Sequence, residues 1–453
     1  MLEKIHNIII LMIKKILRNP GKRFTIFLCI SIYINLFLTN PGYSQPDSLF
    51  YYLEIAANNN PVVLQKFSEY QAALQKIPQV GSLSDPELSL GVFLKPMELV
   101  SGNQVADIRL MQMFPWFGVL RNAKNEMSLM ANAKFEFFRD AKLQVFYDVQ
   151  RTWFELYKVQ KDISISEKNI EILKIIEHLA LVRFKAAPSI PDNSMGSSAG
   201  SSGLADLYRI QIEAGQLENN IALLKNQQNS IIARFNSYLN RPAASPVFTA
   251  ETLAQDSLGL SLISVSDSML ANNPMLNMLE YEKQSIEARK KMVTRMGYPM
   301  VGLGLNYTLI NKNVMSTSPM NGKDMIMPMV TVTLPIYRKK YTAMVNEADL
   351  LKTATSQNYQ ATANSLQTEY YQAVQSYQDA QRRVKLYNNQ YQLASKSLDL
   401  MLKSFSVSAS GLTDVLRIRQ QTLDYELRQV EAVADFNTAI AWLKRLMAFS
   451  QIQ

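Results

Sequence analysis

The chain has 453 residues, with 47 Lys and Arg against 38 Asp and Glu and a formal net charge of +9. One cysteine excludes disulfide scaffolds and Cys-based zinc sites, and because it is Cys29, inside an expected signal peptide, thiol nucleophiles are not expected either. Only 16 Gly and 17 Pro, beside many Gln, Asn and Tyr, suit long polar helices with narrow apolar seams better than an α/β core.

At the N-terminus, Lys22 and Arg23 precede an apolar run, Phe24–Leu38, and then Thr39-Asn40-Pro41-Gly42-Tyr43-Ser44. A charged start, a short apolar stretch and small residues describe a signal peptide, 1–44, cleaved after Ser44. The alternative is a retained membrane anchor, for which the run is short. Removing 1–44 takes away six Lys/Arg and one Glu and lowers the net charge from +9 to +4. No nucleic-acid partner is therefore expected. Cys29 lies in the middle of the apolar run, so lipidation is not expected, and the one remaining histidine, His178, is read as a surface helix residue.

The first half, 45–240, reads as an opening helix over 47–78, two strands, a long helix over 116–185, a tip and a return helix over 204–240. A linker, 241–260, carries Pro242 and Pro246 and is expected on the outside of the helices. The second half, 261–453, repeats the order: an opening helix over 264–296, two strands, a long helix over 336–405, and a return helix over 411–447. Three collinear matches support the repeat. Ala57-Asn58-Asn59-Asn60-Pro61 recurs as Ala271-Asn272-Asn273-Pro274, and Met113-Phe114-Pro115-Trp116-Phe117-Gly118 recurs loosely as Thr333-Leu334-Pro335-Ile336-Tyr337-Arg338. Gly203-Leu204-Ala205-Asp206-Leu207-Tyr208-Arg209-Ile210 recurs as Gly411-Leu412-Thr413-Asp414-Val415-Leu416-Arg417-Ile418.

In the first long helix Val145, Val149, Thr152, Leu156, Val159, Ile163, Ser166, Ile170, Leu173, Glu177, Ala180 and Phe184 step by alternating four and three, a coiled-coil seam. Such a helix is roughly 105 Å long. A return helix and an opening helix stacked end to end match that length, which predicts a bundle of two continuous and two broken helices.

The strand candidates alternate apolar with small or polar residues, the pattern of a membrane β-barrel. Leu90, Val92, Ile108, Leu110, Leu303, Leu305, Val330 and Val332 fall on the parity expected to face lipid. Met111, Met113, Met300, Met325, Met327 and Met329 fall on the opposite, lumen-facing parity. Thioethers suit Cu(I), which makes copper and silver candidate cargo; filling apolar space is the alternative. A bulge at Pro328 that shifts the parity of its strand is a further alternative. Four strands cannot close a barrel, and lipid forbids an open edge, so several chains must combine.

This layout resembles the TolC family of outer-membrane efflux proteins over nearly all of 45–453. The resemblance rests on Asn-Asn-Pro at 59–61 and 272–274, the strand-to-helix junctions at 114–118 and 334–338, and Gly411–Leu416 with its looser counterpart Gly203–Leu207. It implies a mainly α protein with a membrane β-barrel: a homotrimer whose four strands per chain make a 12-stranded barrel in outer-membrane lipid, above a periplasmic helical duct. It implies a periplasmic adaptor docking at tips marked by Gly411, Leu412, Gly203 and Leu204, and an inner-membrane pump. It also puts an acidic gate at Asp414, to which Asp206 adds, with Arg417 placed to pair with Asp414 and hold the mouth closed. An N-cap role for Asp414 is the plain alternative. The Gly/Ser-rich stretch 186–202 departs from the family pattern at the first tip.

The function implied is passive conduction of cargo from pump to exterior, with no enzyme activity and no cofactor. No phosphate loop, metal-spaced His/Cys set or nucleophile elbow is present, and Gly302-Leu303-Gly304 is a strand fragment. The alternative is a structural periplasmic coiled-coil protein without channel activity. It explains the heptads but not strand pairs placed alike in both halves.

Overall fold

The computed structural model describes residues 49–186, 199–258, 261–407 and 411–449. The expected signal peptide, 1–44, and most of the Gly/Ser-rich stretch lie outside the described residues. The chain forms two units, Met1–Tyr51 and Tyr52–Gln453. Of the first, residues 49–51 are described, and they begin helix α1, Leu49–Asn59. The second holds the rest of α1, α2 (Pro61–Gly81), strands β1 (Glu87–Leu99) and β2 (Gly102–Phe114), α3 (Val119–Ala186) and α4 (Ala199–Tyr238). It continues with α5 (Leu262–Asn272), α6 (Pro274–Met296), β3 (Met300–Asn311), β4 (Met325–Thr333), α7 (Arg338–Ser406) and α8 (Leu412–Leu446).

The two long helices run 68 and 69 residues, about 100 Å each. α3 packs against α2 and α4 on one side and α6 and α8 on the other, while α7 packs on α6 and α8. That arrangement widens the seam expected of α3. Val145, Val149, Thr152, Leu156, Val159, Ile163 and Ser166 are buried as predicted, but so are Phe146, Trp153, Phe154 and Tyr157. A helix with neighbours on both flanks needs two apolar stripes. Toward the tip Leu173 and Ala180 of the seam stay buried, joined by Ile165 and Ile176, while Phe184 is exposed. His178 is exposed.

Neither opening helix is continuous. Each breaks at an asparagine followed by proline, because proline has no N–H for the preceding turn and fits the first position of a new helix. Asn60 Oδ1 accepts from Val62 N at 2.9 Å, while its Nδ2 donates to Tyr238 O at 2.8 Å. Asn273 Oδ1 accepts from Met275 N at 2.9 Å, while its Nδ2 donates to Leu446 O at 3.5 Å. Tyr238 and Leu446 are the last residues of α4 and α8. One side chain thus caps the start of a sheet-side half-helix and satisfies the last carbonyl of the tip-side one, splicing α4 to α2 and α8 to α6. Asn60→Ala removes both bonds and is expected to cost about 2 kcal/mol. An unchanged thermal midpoint would count against the splice.

Buried asparagines also hold the linker. Asn236 donates to Ala243 O and Ser245 O at 2.9 and 2.8 Å. Asn437 accepts from Asp256 N at 2.9 Å and donates to Ala254 O at 3.2 Å. Between them Trp153 donates to Phe248 O at 3.2 Å, and the Tyr157 hydroxyl accepts from Leu253 N at 3.2 Å.

The four strands form one antiparallel sheet in the order β1-β2-β3-β4. Its outer strands, β1 and β4, each leave one edge unpaired within the chain.

Candidate functional site

The register sorts the sheet residues cleanly by face. Leu88, Leu110, Leu305 and Pro328 lie side by side, as do Leu90, Ile108, Tyr307 and Ile326, and Leu303 stands opposite Val330. All eight residues expected on the apolar parity share this face, and each is at least 40% exposed in the single chain. The other face carries Asp107, Arg109, Asn306 and Thr308, with Thr308 Oγ1 donating to Asp107 Oδ1 at 3.1 Å. All six methionines expected on that parity are there. Met111, Gly304 and Met329 share one row and Met113, Gly302 and Thr331 another. A Cβ at Gly302 would lie 2.6 Å from Met113 Sδ and 3.2 Å from Met111 Sδ. Both thioethers therefore lie flat over glycines, which is a packing role. The parity shift considered at Pro328 does not occur: β4 follows β3 without a register break.

Where strands become helices, Trp116 stacks on Tyr298 with centroids 5.4 Å apart, and Arg338 donates to Gly297 O at 2.9 Å. Gly118 supplies a positive φ of 91° for the turn into α3. Phe117 and Tyr337 are exposed beside it.

Along α8, Asn437 and Lys444 meet the linker, whereas Asp435, Trp442 and Arg445 on the opposite side line a groove between α3 and α7. There Glu369 accepts from Trp442 Nε1 and Arg445 Nη1, both at 2.8 Å, and Arg383 pairs with Asp435 at 2.8 Å. Burial raises the carboxyl of Asp140 beside this cluster. Further toward the tip, burial pushes Asp162 up to about 6; Lys158 opposes the shift and Glu431 adds to it. A raised carboxyl pKa destabilises the fold above about pH 6, and the penalty fades as pH falls through the ordinary carboxylate range. Asp162→Asn is therefore expected to add about 2 kcal/mol at pH 8 and nearly nothing at pH 4. Equal gains at both values would exclude this origin.

At the tip, Leu412 is 3% exposed and packs with Val415, Leu416, Ile176 and Ile210, whereas Leu204 is 45% exposed. Of these two leucines, only Leu204 presents its side chain outward. Gly411 is the N-cap of α8 and makes no side-chain cap bond. Asp414 sits in the first turn, so it complements the helix dipole but is not the N-cap. Arg417 Nη2 donates to Asp414 Oδ1 at 2.8 Å within the same chain. Asp206 is half-buried, and Arg209, three residues on, reaches across to Thr413 Oγ1 at 2.9 Å. The structure thus brings the two tips together through Arg209 and Thr413.

No family model and no curated protein matches the sequence. Solved structures do match. The outer membrane protein VceC from Vibrio cholerae superposes with a TM-score of 0.69 at 14% identity, covering 88% of this chain and 96% of its own. The open-state MtrE outer membrane channel of Neisseria gonorrhoeae gives 0.67 at 14% identity over 89% of each chain. The outer-membrane channel OprN gives 0.68 at 14% identity over 89% and 90%.

The chain has the TolC-family fold.

Within this TolC-type fold, one charged residue escaped the sequence reading. Arg419 is 3% exposed and pairs with Glu213 at 2.5 Å, while its Nε and Nη1 are buried without a partner. The signal was present. Leu412, Val415, Leu416, Arg419 and Leu423 follow core spacing along α8, and one member is charged. Burial lowers the pKa of this guanidinium despite Glu213.

Proposed function

We propose that the protein is the outer-membrane channel of a tripartite export system. Three copies would pool their strands into a 12-stranded barrel, and their helices would form a periplasmic duct engaging an adaptor and an inner-membrane pump. The observation that carries this reading is the sheet: an exposed, largely apolar face, an opposite face of methionines and polar residues, and two open edges, joined to helices of about 100 Å. A two-copy internal repeat accounts for the shared asparagine splices. The exposed aromatics at the junction suit the lower membrane interface. A structural coiled-coil protein has no use for an apolar sheet face, so it is the weaker reading. The decisive experiment is light scattering of the detergent-purified protein combined with planar-bilayer conductance. A monomer with intact helix content, or a trimer without conductance, overturns the proposal.

Asp414 is the gate residue in this reading, with three copies and their Arg417 partners meeting at the duct entrance; Asp206 adds to the ring. Asp414→Ala is expected to weaken cation selectivity and raise single-channel conductance. If neither changes, the residue serves the helix terminus alone. Docking of the adaptor falls to the tips around Gly411 and Gly203, with Leu204 offering an exposed apolar contact and Leu412 shaping the tip from within. A copper or silver cargo rests on the methionine face alone. Unchanged tolerance of both ions after gene deletion overturns it.

A further inference from the structure

β1 pairs regularly with β2 from Glu87 to Val92, and the register then breaks before Met97, around Lys95 and Pro96. The open edge of β4 contains Pro328, which pairs opposite Leu305 without disturbing the ladder. The ladder with β3 is undisturbed, so the missing N–H of Pro328 points away from β3. Pro328, Val330 and Val332 therefore turn their backbone groups to the open edge. In antiparallel sheets these directions alternate from strand to strand. Carried through the pairs Leu305–Leu110 and Leu110–Leu88, the alternation sends the backbone groups of Leu88, Leu90 and Val92 to the open edge of β1.

We propose that β4 pairs with β1 of a second copy in one register: Val332 opposite Leu88, Val330 opposite Leu90 and Pro328 opposite Val92. This rests on the three-copy barrel proposed above. Three constraints meet in it. First, the apolar face stays continuous across the seam, which any one-residue slip would destroy. Second, the one bond Pro328 cannot donate is lost opposite Val92, the last residue of β1 before its register breaks, so the gap falls at the end of the regular ladder and not inside it. Third, Thr333, the helix-proximal end of β4, stands beside Glu87, the helix-proximal end of β1, so the rim of a symmetric barrel is level.

The stagger agrees. The row Leu88–Leu110–Leu305–Pro328 begins one residue from the helix-proximal end of β1 and finishes five from that end of β4. The proposed seam adds nothing further, leaving a shear of about four residues per chain and about twelve for three chains. With about 3.3 Å rise and about 4.8 Å strand spacing, the strands tilt by about 35°, at the low end of the range for such barrels.

Ser89 and Thr331 then form a non-hydrogen-bonded pair across the seam, with Cα atoms about 4.5 Å apart, within disulfide reach. The test is Ser89→Cys with Thr331→Cys in a Cys29→Ser background, oxidised in the purified full-length protein. Covalent trimers on non-reducing gels, lost on reduction and absent from either single variant, are expected. The register is overturned if intact trimers fail to cross-link. It is equally overturned if Gly91→Cys or Glu87→Cys, paired with Thr331→Cys, links in preference. A monomer by light scattering overturns the barrel reading itself, which separates the two failures.

Discussion

Glu213→Ala should lower the stability of the tip by about 3–5 kcal/mol, read as a fall in the thermal midpoint followed by circular dichroism. The cause is the guanidinium it leaves behind. Arg419 lies at a core position of α8, and two of its nitrogens already lack partners. Glu213 supplies its one carboxylate among the described residues. Removing that carboxylate strands a charge among Leu412, Val415, Leu416 and Leu423. The pair as a whole is different, because a desolvated ion pair gains little over apolar packing. Arg419→Met with Glu213→Leu should therefore recover or exceed the original midpoint. If Glu213→Ala melts at the same temperature as the native protein, the buried charge is already solvated and the account is wrong.

Leu303→Arg should cost up to about 2–4 kcal/mol in the barrel reading, the penalty for a cation facing hydrocarbon, which falls with distance from the bilayer midplane. Leu303 lies on the apolar face three residues from the helix-proximal end of β3, between Gln112 of β2 and Val330 of β4. The expected readout is a sharp loss of trimer in the outer-membrane fraction. Thr331→Arg places the same side chain on the opposite face, one row away, and should assemble almost normally. The pair of variants separates a lipid face from a merely crowded sheet. Equal tolerance of both would move the strands out of the membrane.

Much of the architecture was legible in the sequence, because long helices and alternating strands repeat one local rule many times. The parity of all fourteen sheet residues singled out follows from period-two alternation alone. Two things were not legible. The breaks at Asn60 and Asn273 lie inside strongly helical sequence, and the asparagines stood out only as marks of the repeat; their role as splices depends on Tyr238 and Leu446, far along the chain. The tip was legible by residue type but not by orientation. Leu412 and Leu204 occupy matching positions in the motif, yet one faces the core and the other solvent, because α8 packs extensively on both α3 and α7 while α4 packs mainly on α3. The Arg419–Glu213 pair needed the same tertiary information to give a single charged core position its partner.

The asparagine splices also bear on when the chain can fold. Asn60 and Tyr238 are 178 residues apart, and Asn273 and Leu446 are 173 apart. Each sheet-side half-helix is thus completed by a carbonyl that leaves the ribosome long after it does. Helices of 21 and 23 residues gain their final anchor only when a distant segment returns, and contacts of such long sequence separation form slowly. In the export reading, the polypeptide must cross the inner membrane before it adopts its shape. Joints that stay open until the last residues of each half arrive keep the chain in a threadable state for that passage.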